Sequence, residues 1–465
     1  MTVSTFKRGL KIPGRKGATE GKPAEPVPIP KQVVIPINQH LGAPNQEIVE
    51  VGEAVKRGQK IADAAGPGPM SAPVHASITG VVKKIEVRAQ TNNAEGPCII
   101  IEGDGSEAGW HDTAFMEPLD PFKCSKEEAL ARIRDAGIVG MGGAGFPTHV
   151  KLNVPPNLSV DTIIADGAEC EPYLTTDEAA LEGKTDAIIR GLAIIMKITG
   201  VNKAIIGVED NKAHLAPLVE EKVRKAGYPG EITVELCRTR YPQGGEKLLI
   251  TALTGREVPS GGLPGEAHCI VQNVGSLIAI SEAFDGRPLI ERGLTVSGGA
   301  CGHPKNIVAP IGTVLSSLPP EFLSIDYDNL AKILAGGPMM GFAIPNDNVP
   351  VQKNTSGIVY MTAEETNADA EGYCIRCGRC VRNCSMRLFP VLMSNALDAD
   401  DVDEAAKIGL MDCIECGACT YMCPARIKLV QRFRIGKAKL RMKQAAAQAA
   451  AQAAAQNAIQ AAAKK

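Results

Sequence analysis

Short apolar segments separated by glycines fill residues 33–103, where VGEAVKRGQKIADA (51–64) and SAPVHASITGVVKKIEV (71–87) predict a small all-β domain. From residue 125 the pattern changes. Strand-like DTIIAD (161–166), KAIIGVE (203–209) and ITVELCRT (232–239) alternate with helical TTDEAALEGKTDAIIRGLAIIMKI (175–198) and KAHLAPLVEEKVRKAG (212–227). This order builds a parallel sheet with crossover helices, and its loops are where ligands are expected. Residues 286–345, including RGLTVSGGACGHPKNIVAPIGTVL (292–315), return to short strands and glycine turns, and polar AIPNDNVPVQKNTSG (343–357) leads on to a cysteine-rich segment. Beyond Lys443 the chain reads QAAAQAAAQAAAQNAIQAAAKK. Alanine favours helix, but this segment has almost no apolar face to bury, so it predicts a solvent-exposed helical tail or linker, with partner binding as the second reading.

The stretch GIVGMGGAGFPTHVK (137–151) contains G-x-G-x-x-G at Gly140, Gly142 and Gly145, the fingerprint of a Rossmann dinucleotide loop. In that fold the glycines leave a strand and open a helix. Here Ser125 and Glu128 predict a capping box opening ALARIRDA (129–136), and Gly137 stands where a helix C-cap belongs. The glycines follow a helix, which excludes the Rossmann reading.

At 465 residues, 44% hydrophobic and 22% charged, the chain has room for three or four ordinary folded domains. Its best membrane-span candidate, AIIRGLAIIMKITG (187–200), is broken by Arg190 and Lys197 and falls short of the roughly 18 apolar residues a span needs. With no apolar leader recognised, a cytoplasmic location is expected. The net charge of −2 hides two basic ends: residues 1–32 hold seven Lys/Arg against Glu20 and Glu25, and residues 426–465 hold ten with no acid. These ends read as solvated tails, with docking on an acidic partner or an anionic membrane as their second use. No groove-reading pattern accompanies them, so no nucleic-acid partner is expected.

Eight of the 14 cysteines form two arrays with one spacing: Cys374, Cys377, Cys380 and Cys384, then Cys413, Cys416, Cys419 and Cys423 followed by Pro424. In two-cluster ferredoxins three closely spaced thiolates hold one cubane and the distant fourth cysteine ligates the other. The spacing therefore predicts one [4Fe-4S] cluster on Cys374, Cys377, Cys380 and Cys423, and a second on Cys413, Cys416, Cys419 and Cys384. Zinc sites use ligands summing to four, not repeated triplets with a fourth, and reduced cytoplasmic thiols disfavour disulfides. Ser385 stands where the second array has proline, which alters a turn but removes no ligand. Cys98, Cys124, Cys170, Cys237, Cys269 and Cys301 are isolated and expected to be buried small hydrophobes. Such clusters relay single electrons, so a two-electron donor needs a converter, commonly flavin.

Several motifs carry resemblances. Residues 51–64 and 71–87 resemble the halves of a lipoyl- or biotinyl-type barrel-sandwich domain. The tip between them, AAGPGPMSAP, has no lysine to modify, so it reads as structural, with His75 a packed residue. GMGGAGFPTHVK, DGAECEPYLTTDE, RYPQGGEKLL and QNVGSL resemble, in order, the flavin and NADH site of the respiratory complex I flavoprotein family. Together with the barrel-sandwich domain and the ferredoxin arrays, roughly residues 5–440 resemble the C subunits of Rnf electron-transport complexes.

That resemblance implies a multidomain α/β plus β plus α fold: a basic extension (1–32), a barrel-sandwich hybrid domain (33–115), an FMN/NADH-binding α/β domain (120–285), a β-grasp domain (286–345), a helical two-cluster ferredoxin domain (362–436) and a helical Ala/Gln/Lys tail (437–465). By matched position it implies that Gly142, Gly143 and Gly145 let backbone approach the flavin, with Lys151 adding a positive charge, and that Asp166 and Glu169 hold ribityl or ring atoms. Tyr241, Gly244, Gly245, Gln272 and Asn273 would complete the flavin pocket, while Phe146, Glu171 and Glu246 would face the nicotinamide nucleotide. The complex I relatives read N-A-D-E-x-E-P where this chain has D-G-A-E-C-E-P, so Asp166 replaces an asparagine and Ala168 an acid. Gly245 likewise replaces a glutamate and Gln272 an asparagine.

The implied activity is NADH:ferredoxin oxidation–reduction coupled to Na⁺ or H⁺ translocation by partner subunits: hydride from NADH to FMN, then single electrons through the two clusters. Its implied partners are NAD(H), the other subunits of a membrane complex and ferredoxin or a ferredoxin-like subunit, and its implied place is peripheral, on the cytoplasmic face of the inner membrane. Two alternatives use the same modules: a soluble cobalamin-reductase-type flavin/iron–sulfur protein, and a non-enzymatic wiring or scaffold subunit that has lost its flavin.

Overall fold

Each half of the first β-rich motif divides between two sheets. VGEAVKRGQKIADA supplies strand Ala54–Val55 to one and Lys60–Ala64 to the other; SAPVHASITGVVKKIEV supplies Val74–His75 to the second and the start of Gly80–Ala89 to the first. The four-stranded sheet (Gln32–Pro36, Glu95–Glu102, Gly80–Ala89, Ala54–Val55) and the three-stranded one (Asn45–Glu47, Lys60–Ala64, Val74–His75) bury Val33, Ile35, Ile61, Val82, Ile99 and Ile101. His75 is 4% exposed, and burial holds its pKa well below the usual imidazole value. The computed structural model describes residues 3–64, 70–366 and 370–463, with side chains through Gln452. Residues 65–69, half of the tip AAGPGPMSAP, lie outside them.

The chain forms two units, Met1–Phe6 with Lys11–Ala368, and Lys7–Leu10 with Asp369–Lys465. In the first, Ser125 and Glu128 form the expected capping box on helix Lys126–Asp135, and Gly137 follows its end at φ +69°. The α/β region is a four-stranded parallel sheet ordered Glu231–Cys237, Lys203–Glu209, Thr162–Gly167, Cys269–Asn273. The single helix expected at 175–198 is two, Thr176–Gly183 and Thr185–Thr199, because Lys184 leaves the helical region at φ −128°. The second explains the membrane-like run. Ten of its residues are buried, and Gly191 lies so close to helix Val274–Phe284 that an added Cβ would sit 2.1 Å from the Leu277 carbonyl oxygen. Among the described residues no helix is long and apolar enough to cross a membrane.

The β-rich segment at 286–345 is part of something wider. Its sheet runs Ala24–Pro26, Lys305–Pro310, Glu291–Ser297, Gly357–Thr362, Leu330–Ala335, Phe342–Ile344. The polar stretch at 343–357 thus ends in a central strand whose Ile358, Val359 and Tyr360 are buried. The basic N-terminal extension is likewise no solvated tail: Ala24–Pro26 forms the sheet edge, and Phe6, Leu10, Lys16 and Val27 are buried. Pattern reading missed this because no periodic run marks so short an edge strand.

In the second unit short helices Arg379–Arg382, Pro390–Asp398, Val402–Lys407 and Ala418–Tyr421 pack with the 35-residue helix Leu429–Ala463 around Met393, Leu410, Val430 and Phe433. Leu440 of that helix is still buried, so packing passes the expected boundary at 436/437 by one turn. Residues 441–452 are exposed, as a helix without an apolar face must be. The basic run there is largely paired within the unit: Arg432 to Glu371 and Asp398, Lys437 to Glu415, Lys439 to Asp400 and Lys443 to Asp403.

Candidate functional site

The parallel sheet grows from Thr162–Gly167 through two crossovers in one direction, then returns to place Cys269–Asn273 on the other side. Open α/β sheets bind ligands at the carboxyl ends of strands, at such a reversal. Asp166 and Asn273 are paired in register there.

The glycine loop closes beside this point through Gly140 N–H donating to the Phe146 carbonyl at 2.9 Å. A Cβ on Gly142 would stand 2.9 Å from Asn273 Cβ, while one on Gly143 would meet nothing within 4 Å. Gly145 also has a part in the fold. It turns the chain at φ +73°, and its carbonyl accepts from Leu41 N–H of the barrel-sandwich domain at 3.1 Å. Phe146 is half-buried.

Lys151, on the helix after the loop, donates to Glu246 at 2.6 Å and to the Val271 carbonyl at 2.5 Å. Gly245 is the N-cap residue of helix Glu246–Thr254, and a Cβ on Gly244 would lie 2.2 Å from the Ala168 carbonyl oxygen, so RYPQGGEK and DGAECEP touch backbone to backbone.

Asn273 accepts from Gly275 N–H and donates to Asp177, each at 2.9 Å, and Asp177 N–H donates to Glu169 at 3.2 Å. Asp166 accepts from Ala168 N–H at 3.0 Å. Glu171, expected to face nucleotide, already accepts from Met339 N–H (3.1 Å), Met340 N–H (2.9 Å) and the Tyr241 hydroxyl (3.4 Å). A turn from the six-stranded sheet thus holds this carboxylate, a contact no local pattern announces. Lys16 was also invisible: it is 9% exposed and donates to the Glu169 and Leu174 carbonyls at 2.6 and 2.5 Å, pinning the acidic loop.

Five buried polar atoms without a hydrogen-bond partner lie in these loops and strand ends: Glu169 Oε2, Gln272 Nε2, Glu209 Oε1 and both amide atoms of the fully buried Gln243. Each such atom costs about 1–3 kcal/mol. As a set they offer donors and acceptors to a polar ligand, and the open face at Gly143 admits a flat one, so the residues fit a flavin. Gln243 and Glu209 carry signals a sequence does not, since orphan status depends on packing.

Burial raises the pKa of Glu169, Glu171 and Glu209 to about 7 each, and raises Asp166 well above the usual carboxylate range. For Glu209, at 2% exposure, the folded pKa of about 7 against 4.5 means its favourable contribution is complete below pH 4.5 and is lost as pH rises through 7. In flavin-free protein, Glu209→Gln should flatten the decline in denaturant midpoint between pH 5 and 8, a difference on the order of 3 kcal/mol. An unchanged pH slope would refute the assignment of that decline to Glu209.

In the second unit Cys374, Cys377, Cys380 and Cys423 line one cavity of about 240 Å³, and Cys384, Cys413, Cys416 and Cys419 line a narrower one. Each set draws its fourth thiol from the other array. Burial pushes the Cys416 thiol up to about 12, and a thiol held so high deprotonates when a metal coordinates it. Both donor sets, all sulfur with apolar surroundings, fit [4Fe-4S] clusters.

The parallel sheet with its crevice and the double sulfur site together define a flavin and iron–sulfur electron-transfer protein. Residues 133–282 match the Nuo51 FMN-binding domain, 4–106 the RnfC barrel sandwich hybrid domain and 373–427 the 4Fe-4S dicluster domain. The chain is 43% identical to the C subunit of the proton-translocating ferredoxin:NAD(+) oxidoreductase complex of Clostridium ljungdahlii, covering 94% of each chain. It is 39% identical to the C subunit of the Na(+)-translocating ferredoxin:NAD(+) oxidoreductase complex of Acetobacterium woodii, over 94% of this chain and 97% of that one. To the C subunit of the ion-translocating oxidoreductase complex of Pseudomonas aeruginosa it is 38% identical, over 94% of this chain but 56% of the longer relative. A solved NAD⁺-reducing [NiFe]-hydrogenase in the H2-reduced state superposes with a TM-score of 0.47 at 17% identity, over 67% of this chain and 63% of that one. The chain belongs to the family of C subunits of Rnf-type ion-translocating ferredoxin:NAD⁺ oxidoreductase complexes.

Proposed function

We propose that this chain is the NADH-oxidising peripheral subunit of an ion-translocating ferredoxin:NAD⁺ oxidoreductase complex, held at the cytoplasmic face of the cell membrane by partner subunits. The observation that carries this reading is the convergence of four loops on one sheet reversal, in a chain that also assembles two four-cysteine sets. When bound, FMN would supply acceptance of a hydride and release of single electrons, and the [4Fe-4S] clusters one-electron conduction. Gly142, Gly143, Asp166, Glu169, Gln272 and Asn273 would hold the flavin, with Gln243 and Glu209 offering orphan polar atoms. The residues' work is positioning: a rigid, partly dry crevice aligns two flat ring systems, and no general acid or base is required.

Lys151 binds and orients. Its ammonium ties helix Thr148–Leu152 to Glu246 and to strand Cys269–Asn273. Lys151→Ala leaves Glu246 without this partner and should reduce NADH oxidation by about tenfold or more, the effect of losing one charge-assisted contact. The cluster EPR signals should be unaltered, and loss of both readouts together would show a fold defect. The decisive test of the function is FMN content on purification with bleaching of the flavin spectrum by NADH. Absence of both would sink the assignment and favour a wiring role without flavin.

A further inference from the structure

The two cysteine arrays repeat one motif, and their backbones agree: Arg376 and Glu415 occupy the left-handed region at φ 55° and 57°, followed by Gly378 and Gly417 at 70° and 79°. Their side chains do not. Glu415 is half-buried and held by Arg434 at 3.2 Å and Lys437 at 2.8 Å of helix Leu429–Ala463, and Ala418 is buried at 1% exposure. The equivalent positions of the first array are Arg376 and Arg379, and Arg382 stands opposite Tyr421. All three arginines are exposed, with no ion pair among the described residues. The second array turns Glu415 and Ala418 inward to pack its helix and leaves Tyr421 54% exposed, whereas the first turns all three positions to solvent and fills them with arginine.

The surroundings follow the same division. Cys374 is exposed where its equivalent Cys413 is half-buried, and Cys380 is half-buried where its equivalent Cys419 is 7% exposed. The first cavity is lined by Ile375, Arg376, Arg379 and Leu392, with no acidic residue, and Tyr373 beside it is 96% exposed. The C-terminal basic run cannot supply an equal field, because its cations are largely neutralised by acids of their own unit. An exposed apolar centre rimmed by cations is complementary to an acidic protein surface, and contacts of this kind steer encounter strongly at low salt.

We propose that the rim of the first cysteine cavity, Arg376, Arg379 and Arg382 around Tyr373, Ile375 and Leu392, is the docking surface for an acidic protein that exchanges electrons with this chain. It rests on reading the cavity as a cluster site. The exchange is one electron with no bond made or broken: the side that gives it is oxidised by one and the other reduced by one. NADH supplies the reducing equivalents.

The test uses the full chain with clusters loaded and an acidic two-cluster ferredoxin as probe, with binding measured by calorimetry at low salt and at about 0.3 M, where screening is strong. Wild type should bind and weaken as salt rises. The triple variant Arg376→Glu, Arg379→Glu, Arg382→Glu should bind at least ~10-fold more weakly with a flatter salt dependence. Arg382→Glu, outside the cavity lining, should move in the same direction should the triple variant fail to load. Tyr421→Glu, at the equivalent position of the second array, should bind as wild type. Unchanged affinity and salt slope in the arginine variants would overturn the proposal. So would arginine-dependent binding to anionic phospholipid vesicles with none to ferredoxin, which would make the patch a lipid anchor. Cluster EPR and flavin bleaching on the same preparations keep the two readings apart: intact signals with unchanged binding condemn the docking surface alone.

Discussion

Substituting Cys423 by alanine is expected to remove the cluster shared with Cys374, Cys377 and Cys380, and not the one whose other ligands surround it in sequence. Cys423 belongs to the second array but lines the first cavity, and Cys384 does the converse. The chain therefore loses half its iron in Cys423→Ala, and the pairing of variants identifies which half. Cys423→Ala combined with Cys374→Ala should lose no more iron than either alone, whereas Cys423→Ala with Cys413→Ala should lose nearly all of it. Ligands of one cluster act as a unit and their losses do not add. Were iron loss additive in the first pair and not in the second, the crossed assignment would be wrong. Electron delivery to an external one-electron acceptor should fall with either cluster, while NADH still bleaches the flavin, because the cysteine sets and the residues proposed to hold the flavin lie in different compact units.

Gly143 and Gly244 should separate binding from folding. A Cβ on Gly244 would lie 2.2 Å from the Ala168 carbonyl oxygen, which is backbone and cannot swing away. Gly244→Ala must push the RYPQGGEK loop off the acidic loop, and overpacking of this kind costs about 1–3 kcal/mol. Stability and flavin content should fall together. A Cβ on Gly143 meets nothing within 4 Å. Gly143→Val should therefore melt within about a degree of wild type, since exposed substitutions usually change stability by less than about 0.5 kcal/mol. If the open face at Gly143 is where the flavin lies, FMN affinity should fall at least ~10-fold, equivalent to about 1.4 kcal/mol. Wild-type FMN affinity in Gly143→Val would place the flavin elsewhere in the crevice.

Much of this was legible in the residues. The capping box at Ser125 and Glu128 excluded a Rossmann loop because capping is local: the donors it satisfies lie within one turn. The cysteine spacing named its chemistry for a similar reason, since three thiols two residues apart already define most of a cubane's ligand set. Less legible were contacts between distant segments. Lys16 was read as part of a solvated tail, yet it is buried on the acidic loop. The strand Gly357–Thr362 begins where the polar run 343–357 ends and lies beyond the expected β-rich segment, yet it stands at the centre of a sheet begun by Ala24–Pro26 at its edge.

By itself the sequence determined the periodic elements, the parallel α/β order, the glycine loop's place after a helix and the two cysteine sets, all of which depend on neighbours within a few residues to a few tens. Only the tertiary structure decided how the site is held: Glu171 accepting from the Met339 and Met340 backbone, Lys151 paired with Glu246, Gly145 bonded to Leu41 of the barrel-sandwich domain, and three arginines turned to solvent beside the first cysteine cavity. Burial and partner choice are properties of packing between segments far apart in the chain, and a charge or a glycine reads the same in sequence whether the fold consumes it or leaves it free.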